Sequence, residues 1–419
     1  MLKAIKIRLY PNKEQEIYIN KLLGSYRFVY NQCLSLKKEK YLQDKTNLGL
    51  KELGNYFHNN LTKNDEFIWL KEHNTKVLKQ SIMNLMEAYK RFFLNGNGFP
   101  KFKSKHDNTQ SCRFPLEAIS KRNDYLTNRL TLTSELKNIK IKTSDKYHNY
   151  LNKYKDGIKS ATLSKTKTNK YFLSILVDSN EVIENKKLNG IIGIDLGIKD
   201  FIVTSKGDKF ENLKLTRKNE KTLVKLNRQL SKKQKGSNNR NKARLRLAKF
   251  HEKLNNKKEN YLHYVVNSLL NDNQVIVMED LNVSGMLKNH NLSLSIQEVS
   301  FYNFKSILKY KSEWKDKLLI EIDRFYPSSK LCSCCGYKYK ELSLKERSWK
   351  CPKCKTEHDR DYNAAVNILN EGKRIIGNRF PELTLVDLPL MDDPTRNSLL
   401  KSNVRVKQEN DDLYNFVQV

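Results

Sequence analysis

The chain has 419 residues, with 79 Lys plus Arg against 46 Asp plus Glu, a formal net charge of +33. That length carries two or three domains and a substantial core, and the charge points to a polyanionic partner, nucleic acid before an anionic membrane. No apolar run approaches the length of a spanning helix, which argues against a membrane protein.

The first ten residues alternate apolar and basic side chains and read as a strand rather than a signal peptide, with Ile5, Ile7 and Leu9 on one face. Asn12 and Gln15 have the spacing of a capping box and open a helical region running to residue 93. Its last stretch, 75–93, is clearly amphipathic; Gly96, Gly98 and Pro100 then break it, and a basic-aromatic loop follows at 98–105. Residues 110–185 change to short β-like runs, among them 129–133 and 170–177, and suggest a small β domain closed by the N-terminal strand. At 190–197 an apolar strand begins, with 200–204 as its hairpin partner. A very basic helical pair spans 215–270 with a break at 236–239, and 274–279 is a second buried strand. A helix at 302–317 and a strand at 318–322 lead to a cysteine-rich segment; periodicity is lost after 377, and 381–419 read as a weakly ordered tail.

Cys332, Cys335, Cys351 and Cys354 have the spacing C-x2-C-x15-C-x2-C, which suits one tetrahedral zinc. Four cysteines leave no open coordination position, so that metal is structural. Cys334 sits inside the first knuckle, and Cys33 and Cys112 are isolated and expected to be buried thiols. An odd cysteine count beside a metal set fits a reducing cytoplasm better than a disulfide framework.

Three carboxylates stand at the ends of apolar elements. Asp195 interrupts the strand 191–196, Glu279 ends the strand 275–278 with Asp280 as its neighbour and rival, and Asp361 opens a helix at 362–369. Positions 361, 365 and 368 share one helical face, which carries Asp361 towards the strand ends; Asp359 is the rival two residues earlier. Singly, each is an ordinary strand-end or cap residue. Together they offer hard oxygen donors for Mg²⁺ or Mn²⁺, ions that assist phosphodiester hydrolysis.

The segments GIDLGIK (193–199), VMEDL (277–281), the cysteine set and HDRDYNAA (358–365) resemble the TnpB (OrfB) family of insertion-sequence proteins, relatives of the compact type V CRISPR nucleases. LSLSI (292–296) and RFYPSSK (324–330) also resemble it, as do the weaker N-terminal matches IRLYPN (7–12), FVYN (28–31) and GFPKFK (98–103), so the resemblance covers roughly 1–375. One departure is Lys355 after the last cysteine, where the family often has Gly.

The resemblance implies a multidomain α+β fold. A wedge β-barrel is expected over 1–10 and 106–187, interrupted by a helical recognition domain at 11–105. An RNase H-like RuvC nuclease domain is expected over 188–324 and 359–378, with a zinc ribbon inserted at 325–358 and a tail at 379–419. It implies Asp195, Glu279 and Asp361 as magnesium-binding catalytic acids, preferring Glu279 over Asp280 and Asp361 over Asp359. The implied activity is RNA-guided, Mg²⁺-dependent DNA cleavage beside a short element-adjacent motif, with a guide RNA from the element end and double- and single-stranded target DNA as partners. Thr75, Lys76, Lys79 and Gln80 are candidates for reading that motif, and the basic stretch 232–246 suits the phosphates of an RNA–DNA duplex. The expected state is a bacterial or archaeal cytoplasmic monomer without a membrane partner. Alternatives are a guided DNA-binding repressor that does not cut, and an accessory transposition protein.

Overall fold

The computed structural model describes residues 1–107, 109–120, 123–179, 190–343 and 346–379. The expected tail therefore lies outside the described residues, apart from position 379. The chain divides into two compact units, Met1–Glu181 and Val182–Val419. Among the described residues no helix is long and apolar enough to cross a membrane.

The first unit starts with β1 (Leu2–Tyr10), whose alternation buries Ile5, Ile7 and Leu9. Helix α1 (Lys13–Asp44) opens with a complete capping box: the Gln15 amide donates to the Asn12 side chain and the Asn12 amide to that of Gln15. Such a cap stabilises a helix by about 1 kcal/mol. Helices α2 (Leu50–Tyr56) and α3 (Thr75–Asn95) follow, and α3 ends at Gly96, whose φ of 61° is a left-handed cap. Strands β2 (Thr109–Pro115), β3 (Arg129–Leu130) and β4 (Ile139–Lys142), helix α4 (Asp145–Lys153), and strands β5 (Ile158–Thr166) and β6 (Tyr171–Asp178) complete the unit. Its strands form one antiparallel sheet, β2-β5-β6-β1-β4-β3, with the N-terminal strand inside it. One continuous core joins sheet and helices, from Ile5 through Leu22, Tyr26, Phe57 and Leu85 to Val177.

Two local expectations need correction. The run 129–133 pairs only at Arg129–Leu130, because Leu132 turns to bond Leu136 instead of a neighbouring strand. Helix α4 stands where β structure was expected; only His148 and Leu151 are buried on it, too short an apolar stripe to stand out in a basic sequence.

The second unit contains β7 (Ile191–Leu196), β8 (Asp200–Thr204), β9 (Lys209–Glu211), α5 (Leu215–Lys218), α6 (Glu220–Ser231), α7 (Asn238–Asp272), β10 (Val275–Glu279), α8 (Val283–Met286), α9 (His290–Val299), α10 (Phe301–Trp314), β11 (Leu318–Ile322), β12 (Ser348–Lys350), β13 (Glu357–Asp359) and α11 (Arg360–Arg379). Its main sheet has the order β11-β10-β7-β8-β9. Strand β10 runs parallel to both β7 and β11, while β8 and β9 are antiparallel. The two faces have separate cores. Ile192, Ile194, Ile276 and Met278 pack with residues of α7, α9 and α10, whereas Val275 and Val277 pack with Ile368 and Ile376 of α11. Strands β12 and β13 form a small hairpin sheet over the cysteine cluster.

Candidate active site

Strand periodicity decides which acids can meet. On β10, Glu279 has the parity of Val275 and Val277, so it points to the α11 face; on β7, Asp195 has the parity of Ile191 and Gly193 and points the same way. The parallel register pairs Val277 with Gly193 and Met278 with Ile194, which brings Glu279 beside Asp195 at the carboxyl ends of adjacent strands. Asp280 has the opposite parity. There it pairs with Lys305 of α10 at 2.7 Å and with Arg324 at 2.6 Å.

Helix α11 lies very close on this face. A Cβ on Gly193 would sit 2.3 Å from the Ala365 carbonyl oxygen, and one on Gly372 would sit 2.4 Å from a Val277 methyl. Ala364 and Ala365 are fully buried in the same contact. The helix starts two residues earlier than expected, at Arg360, and Asp359 is its cap: one Asp359 oxygen accepts from the amides of Asp361 and Tyr362, each at 3.0 Å. Burial alone would raise the Asp359 carboxyl, but those amides and Lys209 hold it below its ordinary value. Asp361 is thereby free of the capping role. Its carboxylate accepts from Arg347 at 3.1 Å and from Arg360 at 3.3 Å.

Asp195 feels all of this. Its carboxyl is pushed up to about 7, first by burial and then by the fields of Glu279 and Asp361, with Arg360 opposing. Burial likewise raises Glu279, against the Ser328 hydroxyl, which donates to Glu279 Oε1 at 2.5 Å. Asp195 and Glu279, both raised, resist ionising together; a divalent cation would relieve them, and the all-oxygen donor set that they make with Asp361 fits Mg²⁺ or Mn²⁺. The acids are not drawn as tightly together as the cysteines: among the described residues, only Cys332, Cys335, Cys351 and Cys354 form a group with all ligand atoms within 4.8 Å of one another.

That cysteine set fits zinc on geometry. Sulfur pairs Cys332–Cys354 and Cys335–Cys351 are 3.6 Å apart, close to the roughly 3.8 Å edge of a tetrahedron with Zn–S near 2.3 Å. His358 Nε2 lies 3.1 Å from Cys332 Sγ and its ring packs on Trp349, a local structural placement. Lys355, the departure noted in the sequence, takes a left-handed φ of 62° where glycine would be unstrained. Cys33 and Cys112 are buried, as expected, and Cys334 is exposed.

Four contributors were not legible as functional residues. Ser328 bonds Glu279, and Asn363 and Asn367 of α11 donate to the backbone carbonyls of Leu331 and Ser328, tying the entry of the cysteine segment to the helix. Arg347, from the same segment, bonds Asp361. Ser328, Arg347 and Asn363 lie inside segments that carried the family resemblance and Asn367 two residues beyond them, but no spacing rule marks a serine or asparagine as a tether.

Of the other candidates, Thr75, Lys76 and Lys79 are exposed on the first turns of α3 and Gln80 is half-buried, while Val77 and Leu78 face the core. In the basic stretch, Lys232, Lys233, Lys235, Lys242, Arg244 and Arg246 are exposed. Arg240 differs: it donates to the carbonyls of Leu230 and Lys233 and so closes the end of α6.

Family models match three parts of the chain: "Helix-turn-helix domain" at residues 1–46, "Probable transposase" at 174–290, and "Cas12f1-like, TNB domain" at 301–368. A Streptomyces pristinaespiralis protein named "Putative RNA-guided DNA endonuclease" is 32% identical over 372 residues, 88% of this chain and 89% of the relative. InsQ of Escherichia coli K12, with the same description, is 28% identical over 94% of this chain and 98% of its own length. A TnpB-like protein of Methanocaldococcus jannaschii is 30% identical over 51% of this chain and 80% of its own. Among solved structures, Cas12f1 in a complex with sgRNA and target DNA superposes with a TM-score of 0.57 at 14% identity, over 89% of this chain and 99% of that one. The likeness places the chain in the same multidomain α+β fold.

Proposed function

From the premise that the chain belongs to the TnpB family, related to the type V effectors, we propose that it is an RNA-guided DNA endonuclease of a mobile element, with Asp195, Glu279 and Asp361 as its catalytic acids. The observation that carries the site assignment is the shared face of Asp195 and Glu279 at the ends of β7 and β10, beneath the start of α11, where Asp361 stands. The relatives' descriptions carry the guided, DNA-cutting part.

In this reading residues 188–324 and 359–378 form a RuvC-type nuclease domain and 325–358 a zinc ribbon set into it. Residues 1–10 and 106–187 form the wedge, with 11–105 as its helical insertion. Divalent cations held by the three acids would supply charge neutralisation and water activation for phosphodiester hydrolysis. The protein's own part is to hold those carboxylates. The β7–β10 register fixes Asp195 against Glu279, Ser328 orients Glu279, and Asp359 caps the helix so that the Asp361 side chain is left to the site. A single chain supplies all three acids, consistent with action as a monomer. The net charge of +33 supplies the long-range attraction for guide and target.

The test is purification of the protein expressed with its native locus, sequencing of the bound RNA, and incubation of matching DNA with Mg²⁺. A discrete RNA and cleavage that Asp195→Ala abolishes are expected. Absence of a bound RNA overturns the guided reading; undiminished cleavage by the variant overturns the site.

A further inference from the structure

Between α3 and β2 the first unit carries a surface that the nuclease chemistry does not use. Phe93, Phe99 and Phe102 are 68%, 43% and 53% exposed, a large apolar display for a chain so rich in lysine. Their mounting is rigid. Tyr89 is buried beneath, and edge-on contacts of 5.0 Å between Phe92 and Phe93, 5.3 Å between Phe92 and Phe99, and 5.4 Å between Tyr89 and Phe99 fix the ring orientations. The loop that bears Phe99 and Phe102 has no ladder of its own, yet it is pinned. Pro100 is buried, and the Asn31 side chain both accepts from the Lys103 amide at 2.8 Å and donates to its carbonyl at 3.0 Å.

Positive charge is interleaved with the rings. The Lys38 ammonium lies 5.1 Å from the Phe99 centroid and 5.0 Å from that of Phe102, and Lys101 and Lys105 are exposed alongside. Of the acids in this region, Glu87 pairs with Arg91, Asp107 accepts from the Ser104 amide, Glu39 beside Lys38 accepts from Ser35, and Glu52 faces Lys37. Flat apolar faces flanked by ammonium groups match a base flanked by phosphates.

We propose that Phe93, Phe99 and Phe102, with Lys38 among them, form a stacking platform for unpaired bases of the bound guide RNA. The inference rests on the guided reading above. Duplex DNA keeps its base faces stacked inside, whereas RNA is recognised largely through unpaired bases laid on aromatic rings. A resident RNA covers the rings continuously, which a transient target would not. A second copy of the chain is disfavoured by the lysines, which would face their own kind.

The protein is purified with its own RNA, as above, and irradiated at short wavelength; peptides carrying Phe93, Phe99 and Phe102 are then searched for nucleotide adducts. Ribonucleotide adducts on them, present without target DNA, are expected. Phe93→Leu, Phe99→Leu and Phe102→Leu should each weaken rebinding of the purified RNA by about fivefold or more, with an unchanged melting temperature and salt slope. Lys38→Met should instead flatten the slope of log Kd against log salt by about one. Rebinding by the triple leucine variant equal to wild type overturns the platform. So do adducts that are deoxyribonucleotides only, appearing with target DNA, or a ring-dependent dimer without adducts. If no RNA co-purifies at all, the guided reading itself falls, and this inference with it.

Discussion

Replacing Gly193 by alanine should damage both the fold and the chemistry of the second unit, in a ratio fixed by the packing. The new methyl would lie 2.3 Å from the Ala365 carbonyl oxygen, 2.6 Å from the Leu369 nitrogen and 2.8 Å from Leu369 Cβ. Two of these are backbone atoms and cannot swing aside, so relief needs a separation of about 1 Å between β7 and α11. The helix cannot simply lift away, because Gly372 against Val277 and the Asn363 and Asn367 tethers hold it elsewhere along its length. Overpacking of this kind costs about 1–3 kcal/mol, and for a unit of this size each kcal/mol lowers the melting temperature by about 2–4 °C. Asp361 stands one turn from Ala365 and moves with it, and a misplacement of about 1 Å can cost a hundredfold in rate. Thermal melts and cleavage of matched DNA by Gly193→Ala, with Gly377→Ala as control, read both effects; nothing lies within 4 Å of a Cβ on Gly377. A melting temperature equal to wild type refutes the close packing. A lowered melting temperature with full cleavage refutes the place given to Asp361.

Asp195→Asn should abolish cleavage yet stabilise the protein in Mg²⁺-free buffer at pH 7.5. Because the native carboxyl titrates at about 7 rather than 3.8, the folded state keeps a proton that the unfolded chain releases. The wild type therefore loses stability as pH rises from about 4 to 7, and melts that show the same slope in the variant would contradict the assignment. Ser328→Ala leaves Glu279 Oε1 without its donor. The Mg²⁺ needed to raise the melting temperature, and to support cleavage, should increase about tenfold or more, with Ser328→Thr restoring it; an unchanged Mg²⁺ titration counts against the tether. Metal analysis should find one zinc per chain, lost in Cys351→Ser, and cleavage should fail in that variant with Mg²⁺ present because Ser328 and Arg347 both lie on the ribbon segment. Full cleavage without zinc would separate ribbon from site.

The elements that position the candidate site were readable because each obeys one period. Alternation in β10 already separates Glu279 from Asp280, and the structure supplies the reason: the two faces of the sheet have different partners, α11 on one and Lys305 of α10 on the other. The helical face 361, 365, 368 was visible for the same reason. Less legible were features set by close approach or by single tethers. Gly193 reads as a weak spot in a strand until the helix above it is known, and Arg240 reads as one more base in a basic run although its guanidinium closes α6. Helix α4 escaped notice because two buried residues on a charged segment give no stripe. The sequence marks the platform only as a basic-aromatic loop at 98–105; burial sorts the rings, with Tyr89 inside and Phe99 and Phe102 outside.

The order of the site's parts along the chain has a consequence during synthesis. Asp195 and Glu279 emerge early, on strands that still lack the helix packed over them, and the ribbon must be made before α11 begins at Arg360. A polypeptide stalled, frameshifted or cleaved within the ribbon retains the complete core of the first unit, which closes by residue 181, but has no Asp361. With Asp361 as the third acid of the proposed site, interrupted translation of such a gene would yield chains that keep the first unit yet cannot cut, and cutting would wait until the ribbon and the start of α11 have been made.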